Sequence, residues 1–245
     1  MTITVPTNPT VRDAAREPAP PSGALDITRG RDLHVVDLTV EYRRGDVAVV
    51  PVRNFNFYAG SGRVSALIGR SGSGKTSVLS CLAAMLRPLE GTVWLGGIEV
   101  SMLTGRQLDA YRRCHVGIVH QSYNLIPSLT SVENVAVPLR LAGVPRAEAI
   151  RRAADLLGEL GLSRFERQRP GQLSGGQQQR VAFARAIAPR PSLVIADEPT
   201  AHLDGSSVAD VREMLRRIAD DGRTVVIATH DDRLLSVADQ VVHLG

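Results

Sequence analysis

One stretch, Gly69-Arg70-Ser71-Gly72-Ser73-Gly74-Lys75-Thr76, constrains the fold of this chain more than any other. It matches the pattern G-x-x-x-x-G-K-[ST], in which a glycine-rich loop between a strand and a helix surrounds phosphate groups. The apolar run Val64-Ser65-Ala66-Leu67-Ile68 before it predicts a buried strand. Residues Ser77 to Leu86 predict a helix with apolar positions that include Leu82 and Met85. The loop therefore has the neighbours that the pattern requires, and it predicts a binding site for a nucleoside triphosphate.

The residue types of this loop have physical reasons. Glycines let successive backbone N–H groups turn towards a phosphate, because a Cβ atom would block its approach. The positive end of the following helix points at the same anion. Lys75, the only lysine in the sequence, supplies a compact mobile charge for the outer phosphates, and the hydroxyl of Thr76 can bind Mg²⁺. An incidental glycine-rich turn is the less favoured interpretation, because a strand and a helix are predicted on either side.

Length and composition set broad limits. A chain of 245 residues with 43% hydrophobic residues suits one or two domains, of which one large α/β domain is the simpler prediction. The sequence has no run of about 18 apolar residues, so it predicts no transmembrane helix. The net charge of +4 is spread along the chain and aromatic residues make up only 4%, so we expect no nucleic-acid partner. Cys81 and Cys114 lack metal-binding spacing, which favours a reducing, cytosolic compartment.

The chain begins with a segment rich in proline. Residues 1–32 lack apolar periodicity and predict a disordered tail rather than a signal peptide, and the folded domain is expected over residues 33–245. This domain opens with two predicted antiparallel strands, Leu33 to Tyr42 and Val47 to Phe57. Tyr42, at the end of the first strand, could stack on a nucleotide base or could be an ordinary half-exposed tyrosine. Both interpretations stay open at this point.

Polar residues follow apolar runs later in the chain. The runs that predict buried strands are 116–119, 193–198 and 224–229. Gln121 follows the first, Asp197 and Glu198 end the second, and His230 follows the third. Because the carboxyl ends of parallel strands meet at one edge of a sheet, we expect the two acids and the histidine beside Lys75. Asp197 suits Mg²⁺, and Glu198 suits the polarisation of an attacking water. A helix-capping acid pair and a structural histidine are the alternatives, which the phosphate loop makes less favoured.

A second glycine-containing segment, Leu173-Ser174-Gly175-Gly176-Gln177, precedes a predicted helix. Ser174 and Gln177 have the spacing of a capping box, in which each side chain binds the backbone N–H of the other residue. Glycines in the first turn of a helix cost about 1 kcal/mol each relative to alanine, which suggests that this backbone approaches something closely. An anion site at the helix N-terminus fits these features, and a simple glycine turn stays open as the alternative.

These segments together resemble the ATP-binding subunits of ABC transporters over about residues 33 to 244. The segments similar to that family's Walker A, Q-loop, signature, Walker B and H-loop are, in order, 69–76, Gln121, 173–177, 193–198 and His230. Ala201-His202-Leu203-Asp204 resembles the D-loop, and Tyr42 stands where the family has a base-stacking aromatic residue. His120, before the Q-loop glutamine, and Ala201-His202 depart from the family's usual residues.

The resemblance implies an α/β fold, namely a P-loop NTPase of the ABC ATPase type, with an antiparallel β subdomain and a helical signature subdomain at about 122–175. It also implies hydrolysis of ATP with Mg²⁺. Catalytic roles are expected for Lys75, Gln121, Glu198 and His230, and Mg²⁺ binding for Thr76, Gln121 and Asp197. The residues expected to contact the nucleotide are Tyr42, Gly69, Ser71, Gly72, Ser73, Gly74, Lys75, Thr76, Ser77, Ser174, Gly175, Gly176, Gln177 and Asp204.

The resemblance implies partners as well. Two copies are expected to pair head to tail around two ATP molecules, since in the family each phosphate loop faces the signature segment of the other copy. A transmembrane permease is expected to hold the pair at the cytoplasmic face of the membrane. Residues 123–130, 133–135 and 173–180 resemble the lipoprotein-releasing and macrolide-efflux group, which predicts an exporter.

Two other functions stay open from the sequence. A regulatory ATPase that signals to a cell-division or cell-wall machine would carry the same motifs. A soluble ABC ATPase that acts on ribosomes or DNA usually has two cassettes or a long coiled-coil insert, and this sequence contains neither. An ordinary P-loop kinase would lack a segment like 173–177.

Overall fold

The computed structural model describes residues 30–45, 47–201 and 203–245, so most of the predicted tail lies outside the described residues. A four-stranded antiparallel sheet and a five-stranded parallel sheet organise the described part. Its strands are β1 (Leu33–Arg44), β2 (Val47–Ala59), β3 (Val64–Ile68), β4 (Glu90–Leu95), β5 (Ile98–Glu99), β6 (Val116–Val119), β7 (Leu193–Asp197), β8 (Thr224–Thr229) and β9 (Gln240–His243). Its helices are α1 (Lys75–Leu82), α2 (Gly105–Cys114), α3 (Ser131–Leu141), α4 (Arg146–Glu159), α5 (Gly175–Ile187) and α6 (Gly205–Asp220). Single 3₁₀ segments cover Val100–Met102, Ser163–Phe165, Pro170–Gln172 and Asp232–Val237.

The parallel sheet has the strand order β6-β7-β8-β3-β9. Its register pairs Ile68 with Thr229 and Asp197 with Ala228, so the carboxyl ends of β3, β7 and β8 lie side by side. The phosphate loop follows β3 at this edge. Strand β7 ends one residue before the predicted bound, because Glu198 has a positive φ of 45° and leaves the extended conformation.

Each face of the parallel sheet packs on a different core. Leu67 and Val226 belong to the core shared with α1, α2 and the antiparallel sheet. Ala66 and Val225, the neighbouring positions, belong to the core shared with α5 and α6. Burial on both faces explains why these strands are nearly continuous apolar runs in the sequence.

The antiparallel sheet has the order β2-β1-β4-β5 and lies on the α1 side of the molecule. The hairpin of β1 and β2 pairs Tyr42 with Val49, which places both residues near the start of α1. With the parallel sheet, this arrangement confirms the predicted fold class: a mixed α/β P-loop architecture with an antiparallel β part and a helical part.

Helix α1 is shorter than the sequence predicts. It covers Lys75–Leu82 instead of Ser77 to Leu86, and Ala84 just beyond it has a left-handed φ of 54°. The buried hydroxyl of Tyr111 on α2 donates to the carbonyl oxygen of Leu82 at 2.8 Å and so caps the helix end. The chain then turns away, and Met85 is exposed, so its predicted place on the apolar helix face is wrong.

Helices α3, α4 and α5 pack around a core of their own. Its buried members are Val135, Ala136, Leu139, Ala149, Ala153, Leu157, Leu162, Leu173, Val181 and Ala184. This core extends past residue 175 into α5, so the bound of about 122–175 for the helical subdomain stays a prediction. No helix within the described ranges combines the length and apolar character needed to span a membrane.

Candidate nucleotide-binding site

The glycines of the phosphate loop lie against other parts of the chain. A Cβ atom at Gly69 would lie 2.4 Å from the carbonyl oxygen of Leu244. One at Gly74, where φ is 94°, would lie 2.5 Å from Cγ2 of Val52 on β2. The loop is therefore fixed between the antiparallel sheet and the end of the chain, with its backbone facing the space above α1.

The side chain of Lys75, the first residue of α1, reaches back to the start of the loop. Its ammonium group donates to the carbonyl oxygens of Gly69 at 2.7 Å and of Arg70 at 3.1 Å. The residue is only 8% exposed, so its charge is shielded from bulk water. A buried positive charge at the N-terminus of α1 makes the loop strongly attractive for a phosphate group.

Thr76 and Asp197 face each other across the neighbouring ends of α1 and β7. The hydroxyl of Thr76 donates to Oδ2 of Asp197 at 3.0 Å. Burial raises the pKa of the Asp197 carboxyl, and the charge of Glu198 raises it further, while the hydrogen bond from Thr76 opposes the rise. A hydroxyl and a carboxylate are the hard oxygen ligands that Mg²⁺ prefers, so these residues fit the ion.

Glu198 and His230 form a pair beside this site. Oε1 of Glu198 lies 2.8 Å from Nδ1 of His230, and Oε2 accepts the backbone N–H of His230 at 3.3 Å. The backbone N–H of Glu198 donates to the carbonyl oxygen of Ala228 at 2.8 Å, which fixes the left-handed residue to β8. The carboxylate side chain is 13% exposed and the imidazole 73% exposed. The acid is thus placed where it can orient a water molecule, and the histidine can contact a ligand.

Tyr42 lies over the first turn of α1. Its hydroxyl donates to Oγ of Ser77 at 3.0 Å, and 45% of the residue is exposed. Val49 and Pro51 on β2 line the same part of the pocket. The arrangement offers one aromatic face and two apolar side chains to a planar ring.

A pocket of about 700 Å³ collects most of the predicted residues. Those that line it are Tyr42, Gly69, Ser71, Gly72, Gly74, Lys75, Thr76, Ser77, Gln121, Asp197, Glu198 and His230. Val49, Pro51 and Arg70 also line it and were not predicted. Val49 could have been found from the hairpin, because it is the cross-strand partner of Tyr42.

Other predicted residues do not line this pocket. Ser73 is one, and a Cβ atom on Gly69 would lie 2.6 Å from its Oγ. The contact of Ser73 with the nucleotide stays a prediction. The signature residues Ser174, Gly175, Gly176 and Gln177 are likewise absent from the pocket lining, and so is Asp204. His202 of the D-loop lies outside the described residues.

The signature residues instead form a second surface with the start of α6. Ser174 and Gln177 make the predicted capping box at the N-terminus of α5. A Cβ atom on Gly176 would lie 2.6 Å from Oγ of Ser207, so the first turns of α5 and α6 are in close contact. Asp204 caps α6 by accepting the backbone N–H of Ser207 at 2.8 Å. The chain therefore presents the phosphate loop and the signature segment on separate surfaces.

Arg185 on α5 is a residue near the site that the sequence did not reveal. Its guanidinium donates to the carbonyl oxygens of Tyr123 and Asn124, just after Gln121. Burial lowers the pKa of the neighbouring His120, the charge of Arg185 lowers it further, and Asp197 opposes both. Such a contact joins residues far apart in the chain, so no local pattern marks it.

A phosphate loop follows the inner parallel strand β3, and an acid pair lies at the end of β7, which is separated from β3 by β8 alone. This arrangement defines a P-loop nucleotide-binding protein. The family model for ABC transporters matches residues 52–201, which is more than half of the chain. This chain belongs to the ABC transporter family.

Its similarity to known proteins extends over most of its length. It is 51% identical to an uncharacterised ABC transporter ATP-binding protein of Mycobacterium tuberculosis, over 87% of this chain but only 64% of that protein. It is 41% identical to the lipoprotein-releasing system ATP-binding protein LolD of Geobacter metallireducens, over 86% of this chain and 95% of LolD. The solved dimer of the ATP-binding cassette MJ0796 in a post-hydrolysis state with ADP and Pi is 35% identical, with a TM-score of 0.80 over 86% of this chain and 94% of that one.

Proposed function

We propose that this chain is the ATP-hydrolysing subunit of a membrane ABC transporter, an exporter of the lipoprotein-releasing and macrolide-efflux type. The observation that carries the proposal is the separation of the phosphate loop from the signature segment within one chain. Each surface has half of the groups needed around ATP, so a complete site requires two copies. The similarity to LolD supports the exporter type.

The pocket residues bind ATP in this proposal. The loop Gly69 to Gly74 and Lys75 hold the β- and γ-phosphates through backbone N–H groups and one ammonium charge. Ser77, in the first turn of α1, contacts the phosphate nearest the ribose in this proposal, and its place in the pocket lining supports that contact. Tyr42 stacks on the adenine, and Val49 adds an apolar contact. The exposed face of Tyr42 supports this stacking role.

Thr76, Asp197 and Gln121 would hold Mg²⁺. When bound, the ion neutralises charge on the β- and γ-phosphate oxygens. The hydrogen bond between Thr76 and Asp197 places their oxygen atoms on the same side of the pocket before any ion is present. Gln121 lines that pocket from the end of β6.

Glu198 positions the attacking water, and His230 contacts the γ-phosphate. The proton of the water moves towards Oε1 or Oε2 of Glu198 as the water oxygen attacks the γ-phosphorus. The bond from that phosphorus to the oxygen that bridges to the β-phosphate breaks at the same time, and ADP is the leaving group. The hydrogen bond between Glu198 and His230 supports this role, because it holds the carboxylate in place in the pocket that both residues line. His230 lines the same pocket and its imidazole is mostly exposed, which supports its contact with the phosphate.

Two copies pair head to tail. Ser174, Gly175 and Gly176 of one protomer close over the γ-phosphate bound by the partner, with Gln177 and Asp204 beside them. The N-terminus of α5 would contribute its positive end and two bare glycines to that phosphate. The dimeric structures of a similar cassette support pairing.

A permease would hold the dimer at the cytoplasmic face of the membrane. ATP binding would close the dimer and hydrolysis would open it, and the permease would receive this motion.

Tagged Glu198→Gln protein, purified from detergent-solubilised host membranes with Mg-ATP, should bring a multi-span membrane protein with it. Recovery of cell-wall or division proteins with that permease would favour the regulatory ATPase. Recovery of ribosomal or DNA-repair proteins alone would refute the transporter proposal.

The dimer is tested directly by light scattering. Glu198→Gln removes the base and should accumulate an ATP-bound dimer, whereas Lys75→Ala in the same background should stay monomeric.

The head-to-tail arrangement is tested by mixing Glu198→Gln chains that carry either Lys75→Ala or Ser174→Arg. Opposed pairing leaves one intact site, made from the phosphate loop of one chain and the signature of the other. Dimers should therefore form only in the mixture, with one ATP each, and their absence would contradict the arrangement.

A further inference from the structure

Arg185, near the end of α5, holds a strained turn in place. Its Nη2–H donates to the carbonyl oxygen of Tyr123 at 2.7 Å, and its Nη1–H donates to that of Asn124. Tyr123 and Asn124 have left-handed φ values of 59° and 48°. Non-glycine residues in such conformations are strained and persist only where their surroundings impose them. The two hydrogen bonds from the guanidinium are such a constraint.

Gln121 lies in the turn that ends at Tyr123, the first of the two strained residues. The backbone N–H of Tyr123 donates to the carbonyl oxygen of His120 at 3.0 Å, so Gln121 and Ser122 are the middle residues of a closed turn. Gln121 also lines the nucleotide pocket. Its position there depends on the turn, and the turn is held from α5.

The interaction requires an arginine. The guanidinium is half-buried, and burial lowers its pKa. Within residues 30–45, 47–201 and 203–245, no carboxylate lies at ion-pair distance from it, so the two carbonyl oxygens are its compensation for lost hydration. A planar fork can bind two adjacent carbonyl oxygens at once, while a lysine ammonium is a single point donor.

We propose that Arg185 is a positioning residue that couples the signature helix to the Mg²⁺ ligand Gln121. Helix α5 begins at Ser174 and carries Arg185 in its last turn, so any rotation of α5 moves the guanidinium and the attached turn. Engagement of Ser174 with the partner's nucleotide is thereby transmitted to Gln121 in the first protomer's own pocket. This inference rests on the roles of Gln121 and Ser174 in the proposed function.

The test uses Arg185→Lys in the full chain, which keeps the charge and removes the fork. Mg²⁺ is titrated into the protein with a fluorescent ATP analogue, and ATPase activity is measured in parallel. We expect the half-saturating Mg²⁺ concentration to rise about tenfold, the effect of losing one charge-assisted hydrogen bond. The backbone amides of residues 122–126 should also exchange hydrogen faster. Arg152→Lys, at an exposed arginine that pairs with Glu148 on α4, is the matched control and should change neither.

A double variant separates positioning from general stability. Because Arg185 acts through Gln121, the combination of Arg185→Lys with Gln121→Ala should need no more Mg²⁺ than Gln121→Ala alone. Additive losses would overturn the proposal, and so would an unchanged Mg²⁺ requirement in both Arg185→Lys and Arg185→Gln. Wild-type Mg²⁺ dependence in Gln121→Ala would instead show that the proposed function of Gln121 itself is wrong.

Discussion

Gly72 and Gly74 lie in the same phosphate loop, but only one of them is closely packed. Their φ values are 82° and 94°. A Cβ atom on Gly74 would lie 2.5 Å from Cγ2 of Val52 and 3.0 Å from the carbonyl oxygen of Pro51, whereas one on Gly72 would meet nothing within 4 Å. Alanine at position 72 therefore introduces backbone strain alone, and alanine at position 74 adds a steric clash.

The expected losses of unfolding free energy follow from these contacts. For Gly72→Ala we expect about 1 kcal/mol, because the left-handed conformation costs about 1–2 kcal/mol and alanine recovers part of this by restricting the unfolded chain. Gly74→Ala introduces the same backbone strain. Its new Cβ atom also overpacks against the side chain of Val52 and the backbone of Pro51, and this overpacking costs about 1–3 kcal/mol more. The difference of about 2 kcal/mol corresponds to about 4–8 °C in Tm for a chain of this length.

Urea unfolding of the nucleotide-free protein, followed by circular dichroism, measures both variants. Val52→Ala removes the atom nearest to the new Cβ atom, so the double variant with Gly74→Ala should lose less than the sum of the single losses. Equal losses for Gly72→Ala and Gly74→Ala would refute the reasoning, because the packing contribution would then be absent.

Other residues give further predictions. Tyr111→Phe leaves the buried carbonyl of Leu82 without its donor and should lower the free energy of unfolding, measured in urea, by about 1–3 kcal/mol. Tyr58→Phe, at an exposed tyrosine, is the control and should lower it by less than about 0.5 kcal/mol. Similar losses in the two variants would contradict the capping role of Tyr111. Hydrogen bonds from Arg233 and Thr200 lower the pKa of Asp231 to about 2, so its carboxylate stabilises the fold fully above about pH 5 and loses this contribution as the pH falls towards 2. Asp231→Asn should therefore flatten the acid-unfolding curve in that range, and an unaltered curve would argue against it. Tyr42→Ala should weaken binding of a fluorescent ATP analogue about tenfold while Tyr42→Phe stays within about threefold, and equal effects would exclude stacking.

Local sequence patterns were sufficient to predict the features that depend on residues close together in the chain. The bounds of β3, β6 and β8 match the runs in the sequence, because strands buried on both faces are apolar at most positions. The capping box of Ser174 and Gln177 was predictable because both partners lie within one helical turn. The meeting of Lys75, Asp197 and His230 followed from the rule for parallel strand ends.

Features set by distant contacts could not be predicted in this way. The end of α1 depends on Tyr111 of α2, so apolar spacing alone extended the helix too far. The side chain of Ser73 packs near Gly69 and the chain terminus, which the loop pattern does not specify. The contact of Arg185 with Tyr123 and Asn124 joins two segments across the fold, and neither segment alone indicates it.

The left-handed backbone of Glu198 has a consequence for protein engineering. At this position the conformation favours glycine or asparagine, while the proposed chemistry needs a carboxylate. Replacement by glycine would relieve the backbone strain and would also remove the carboxylate that we propose activates water. Stability and activity therefore favour different residues at this position. A library selected only for thermal tolerance is therefore expected to enrich inactive variants at position 198, and a screen for robust versions of this cassette has to select for turnover at the same time.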